Sequence, residues 1–67
     1  MDEINIEFAL MIIRFKISNY VKNFKGNNKK EFLKGLNELI QIRNKIYNAD
    51  EKTITNILNE YKQNIIN

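Results

Sequence analysis

The chain has 67 residues, 43% of them hydrophobic and 28% charged, with a net charge of +3 and no cysteine, histidine, proline or tryptophan. Disulfide bracing is thereby excluded, and the usual transition-metal ligand sets are absent. A single domain of this length lies near the limit at which one hydrophobic core outweighs chain entropy unaided, so association with another chain is the remedy left to it.

The first predicted element covers residues 3–25, and winding it at 100° per residue makes it apolar on two sides. Ile6, Ala9, Leu10, Ile13, Ile17, Tyr20, Val21 and Phe24 share one broad face running its whole length. Ile4, Phe8, Met11, Ile12 and Phe15 share a second face, roughly opposite and confined to the N-terminal half. Glu7, Arg14 and Ser18 fill one seam between the faces; Asn5, Lys16 and Asn23 fill the other. Asp2 and Glu3 suit a first helical turn, where carboxylates complement unpaired backbone N–H groups, and Lys22 and Lys25 suit the last. Gly26 is the nearest residue suited to a left-handed stop.

Asn28 and Glu31 have capping-box spacing and start a second predicted helix at residues 29–47. Phe32, Leu33, Leu36, Leu39, Ile40, Ile46 and Tyr47 make its apolar face, with Ile42 at the edge. Gly35, also near that edge, costs about 1 kcal/mol relative to Ala inside a helix, which reads as a close helix crossing. Asn48 and Glu51 repeat the capping spacing, predicting a third helix at 49–66 whose narrow stripe is Ile54, Ile57, Leu58, Tyr61 and Ile65. Connections this short make neighbours pack antiparallel. The expected fold is all-α, one domain over residues 1–67, an up-down-up three-helix bundle associating as a helical homodimer. Two smaller helices can cover one face of the first; the second face, Ile4, Phe8, Met11, Ile12 and Phe15, is the expected interface with another copy or a larger protein.

The charge is unevenly placed. Residues 1–10 carry three acids and no base, whereas residues 22–34 carry five lysines against Glu31. Lys22, Lys25, Lys29, Lys30 and Lys34 therefore form a candidate surface for an anion or an acidic partner. Lys29 and Lys30 sit in a first helical turn, where positive charge opposes the dipole, so helix stability does not account for them. The longest wholly apolar run, residues 8–13, is far short of the roughly 20 residues that span a bilayer, and the acidic start is unlike a secretory signal. A cytoplasmic location is expected, and a membrane partner is disfavoured. Twelve Ile, twelve Asn and nine Lys fit AT-rich codon usage, as in many bacterial, phage or mobile-element genomes.

Arg43 falls within the apolar face of the second helix and needs a partner or a route to water. In an antiparallel hairpin that partner is expected to be Glu7, or Glu3. The hexapeptide Arg43-Asn44-Lys45-Ile46-Tyr47-Asn48 resembles the signature of HEPN-type helical ribonucleases, in which a histidine follows the Arg-Asn pair by a few residues. This chain has no histidine and is much shorter than a usual HEPN domain, so the resemblance implies no nuclease.

With no His or Cys, nucleophiles reduce to Ser18, Thr53, Thr55, lysines and tyrosines, which form no recognisable catalytic constellation. No enzymatic activity, cofactor or metal is expected. Sequence-specific DNA reading also fits poorly, because the third helix is net acidic over Asp50, Glu51, Lys52, Glu60 and Lys62 and longer than a helix-turn-helix reader. The function expected is a small regulatory interaction module, an inhibitor, regulator or scaffold that self-associates through the second face. The alternative is sequence-independent nucleic-acid binding by the basic turn at residues 22–34.

Overall fold

The computed structural model describes residues 3–66, with side chains as far as residue 63. Asp2, and the side chain of Ile65 on the third stripe, lie outside the described residues. The described chain is entirely helical: α1 (Glu3–Lys22), α2 (Lys29–Tyr47) and α3 (Glu51–Ile66), all packed against one another. No strand occurs among the described residues.

Helix α1 stops at Lys22, three residues before the expected end. Its last turn closes with Asn23 N–H donating to the Asn19 carbonyl and Phe24 N–H to that of Val21, 3.0 and 3.2 Å. Phe24 then leaves the helix and stacks on Phe32 with ring centroids 4.0 Å apart, burial that continuing the helix would forfeit. Gly26 does adopt the left-handed conformation, φ 86°. Asn28 is the N-cap of α2, its side chain accepting from Glu31 N–H at 3.3 Å.

The hairpin of α1 and α2 is antiparallel: Tyr20, late in α1, stacks on Phe32, early in α2, while Arg14 meets Tyr47 at the far end of α2. Gly35 marks the close approach the sequence predicts. A β-carbon there would overlap the Tyr20 hydroxyl and lie 2.8 Å from Cζ of that ring. The same hydroxyl donates to the Phe32 carbonyl at 3.1 Å, so the ring is fixed over the glycine.

The turn into α3 differs from the predicted capping box. Asn48 closes α2, and its N–H donates to the carbonyls of Asn44 and Lys45. Ala49 takes a positive φ of 59°, and Asp50 supplies the helix start. Its carbonyl accepts from Ile54 N–H at 3.0 Å and its carboxylate accepts from the Thr53 hydroxyl. A carboxylate immediately before the first turn also complements the dipole, which favours Asp50 over Asn48 in that place.

Among the described residues the buried core is Ala9, Leu10, Ile13, Ile46, Ile54 and Ile57, with Ile6, Ile12, Ile17, Leu39, Ile42 and Leu58 packed around it. Val21, Leu33 and Tyr47, expected inside, are exposed. The reason is local: Tyr20 and Phe32 hold the hairpin contact, which turns their sequence neighbours Val21 and Leu33 outward, and Tyr47 reaches the surface to meet Arg14.

Candidate functional site

The second face of α1 exists because apolar side chains surround this helix, whereas those of α2 and α3 lie on one side. The inward stripe consumes both smaller helices. What remains is partly covered. Ile4, Met11 and Phe15 are 74, 59 and 67% exposed, each a large side chain on the described surface. Phe8 and Ile12, named with them from the sequence, are half-buried. Phe8 meets Tyr61 of α3 edge-on at 5.2 Å between centroids, and Ile12 packs against the core.

All of these except Ile4 border an open groove of about 660 Å³. Phe8, Met11, Ile12 and Phe15 form its apolar floor; Tyr61 and Glu60 stand on one side, and Tyr20 and Leu39 close one end. Lys16 donates to Glu60 at 3.0 Å on the rim, the ion pair found among the described residues. The pair follows from how α3 lies. Phe8 and Lys16, eight residues apart on α1, meet consecutive residues Tyr61 and Glu60, so α3 passes across α1 at an angle.

The opposite flank carries a polar cluster. Arg14 Nη2 donates to the Tyr47 hydroxyl at 3.1 Å. That bond raises the Arg14 pKa above its ordinary value and lowers that of Tyr47, because the guanidinium stabilises the phenolate; Glu7 adds a smaller upward push on both. Arg43 does not reach Glu7 within ion-pair distance. Its guanidinium lies 5.9 Å from the Tyr47 ring centroid, with Nε buried and without a hydrogen-bond partner among the described residues. The expected Arg43–Glu7 pair thus gives way to Arg43 on Tyr47 and Tyr47 on Arg14.

The five lysines of the basic turn, Lys22, Lys25, Lys29, Lys30 and Lys34, are all exposed. Phe24 and Phe32 line the hollow beside them, but each is stacked on the other and half-buried, which leaves their faces engaged within the chain. No group of three or more acidic, His or Cys side chains that could hold a metal ion occurs among the described residues, and no helix there is long and apolar enough to cross a membrane.

The chain matches no protein-family model, no curated protein and no solved structure. The site must be read from its own chemistry. An apolar groove bounded by one ion pair offers shape and buried area to another apolar surface. Its lining also includes Lys16, Asn19, Tyr20, Glu60 and Tyr61, of which Lys16 and Glu60 are paired with each other.

Proposed function

We propose that this protein is a small, non-enzymatic interaction module that self-associates through the outward face of α1, most simply as a homodimer, and acts as a regulator, inhibitor or scaffold of a larger protein. The single observation carrying this reading is the exposure of Met11 and Phe15 on the groove floor, with Ile4 exposed beyond it, in a chain whose buried core numbers six described residues. Large side chains contribute about 1.5–3 kcal/mol each on full burial, so covering such a face is a considerable driving force for a domain this small. Phe8 and Ile12 would extend the same interface from below, since both line the groove.

The test is the variant Met11→Glu with Phe15→Glu. Both side chains are exposed, so the helix content should remain while the mass in solution falls to that of one chain. Unchanged mass with unchanged helicity would sink the proposal.

A second reading rests on the cluster of five exposed lysines around the turn between α1 and α2. They would bind a nucleic-acid backbone without reading bases, and the affinity would fall steeply with salt.

A further inference from the structure

We infer that the second copy docks antiparallel, α1 against α1, with Glu7 of each copy beside Arg14 of the other. This inference rests on the self-association reading and gives it an orientation and a register.

Ile4, the half-buried Phe8, Met11 and Phe15 follow one another at intervals of four, three and four, and all but Phe8 are exposed. That is the alternation of a two-heptad coiled-coil seam, with Phe8 and Phe15 in the a positions and Ile4 and Met11 in the d positions. The flanks of the seam differ. On one side stand Asn5, Ile12 and Asn19; on the other stand Glu7 and Arg14, seven residues apart and both exposed. Helix α3 occupies the Ile12 side, where Tyr61 meets Phe8 and Glu60 holds Lys16. On the charged flank Glu7 and Arg14 are both exposed, with Tyr47 of α2 bonded to Arg14.

In an antiparallel pair, a residues pack against d residues of the opposite helix. Ile4 then meets Phe15 of the second copy, and Phe8 meets Met11, about a two-fold axis level with Ala9 and Leu10. Glu7 of one copy and Arg14 of the other come to lie on the same flank, between the same two layers. Symmetry repeats the pairing, so one sequence supplies two complementary charge contacts. A parallel pair does the opposite: each flank would face the other kind of flank, Glu7 would meet the Ile12 side, and the acidic first turns with Glu3 and Glu7 would be brought together.

Within one chain Glu7 and Arg14 are about 10.5 Å apart along the helix axis, too far for an ion pair. Arg14 is nevertheless held on its flank by the bond to Tyr47. A guanidinium has five N–H groups, so that bond leaves donors for a carboxylate.

The test uses two single charge reversals, Glu7→Arg and Arg14→Glu, with helicity followed by circular dichroism and association by analytical ultracentrifugation. Alone, each places like charges at both contacts and should raise the dimer dissociation constant roughly tenfold or more. Mixed in equal amounts, the two variants form a pair in which both contacts are complementary, and association should return to the wild-type level. Because the rescue occurs between separate chains, restored folding of one chain does not imitate it.

Ser18→Cys supplies an independent check that leaves both charges in place. Ser18 continues the seam, so a parallel pair would juxtapose the two thiols and oxidise readily to a disulfide-linked dimer. An antiparallel pair separates them by about 25 Å along the axis and should not cross-link within the dimer. Rapid cross-linking of Ser18→Cys, or single reversals that associate like wild type, would overturn the orientation while self-association stands. A wild-type chain that stays monomeric would overturn both.

Discussion

Ile13 and Phe15 are two residues apart on α1, similar in hydrophobicity and helical geometry, yet one is sealed from water and the other is two-thirds exposed. The difference lies in what the rest of the chain can reach. Residues on the Ile13 side meet α2 in an antiparallel hairpin and α3 across it. On the Phe15 side, the described residues that α3 supplies, as it passes at an angle, are Tyr61 and Glu60 at one edge. Among the described residues, α2 and α3 enclose one face of α1 and leave Ile4, Met11 and Phe15 exposed on the other. The inward face makes the fold, and the outward face is what we propose makes the assembly.

The largest expected effect sharpens this division. Ile13→Ala should cost about 2–5 kcal/mol in urea unfolding, since it opens a cavity at a fully buried position, while Phe15→Ser should change the stability of the monomer by less than about 0.5 kcal/mol. Equal costs at the two positions would erase the distinction between the faces. Next comes Gly35→Ala. Helix propensity alone predicts a gain of about 1 kcal/mol. The overlap with the Tyr20 hydroxyl should reverse that sign, and pairing the change with Tyr20→Leu should relieve much of the loss.

A smaller effect separates the apolar face from the basic turn. Replacing Lys25, Lys29 and Lys30 by Glu should leave self-association nearly unchanged, because none lies on the groove. If the turn binds nucleic acid, the triple variant should lose affinity for a mixed-sequence duplex in low salt. Binding equal to wild type would remove the turn from consideration.

The smallest effect concerns Tyr47. Its folded-state pKa lies below the ordinary tyrosine value because Arg14 stabilises the phenolate. The stabilisation therefore belongs to the ionised form. It develops as pH rises through the folded value, is complete above the unfolded value near 10, and is lost as pH falls through the folded value. Absorbance titration at 295 nm should place Tyr47 ahead of ordinary tyrosine, and Arg14→Gln should move it back upward. Identical curves for the two proteins would mean that the bond between them does not persist in solution.

The parts of this fold that were legible in the sequence are those fixed by neighbours along the chain. The two stripes of α1 follow from angular spacing, the start of α2 from Asn28 and Glu31, and the close crossing from a lone Gly35 in a helical run. Where distant parts of the chain compete, local reading failed. Phe24 suited the inward stripe of a longer α1, but leaving the helix lets it stack on Phe32. Asn48 and Glu51 had capping-box spacing, yet Asp50 offered the start of α3 a carboxylate.

Hairpin direction alone points Arg43 to Glu7, whereas Tyr47, four residues further along the same helix, lies under its guanidinium. The Lys16–Glu60 pair is not legible in the sequence, because it depends on the angle at which α3 crosses α1, and no periodicity within either helix carries that angle. For the candidate site, spacing named all five residues of the outward face. Only packing distinguishes Phe8 and Ile12, which the chain half covers, from Ile4, Met11 and Phe15.

The most direct test of the central claim is the solution mass of the wild-type protein by light scattering behind size exclusion, over a wide concentration range at moderate salt. A self-associating chain gives a mass that rises with concentration toward twice the 8.0 kDa of one chain. A mass that stays at one chain throughout would contradict that claim.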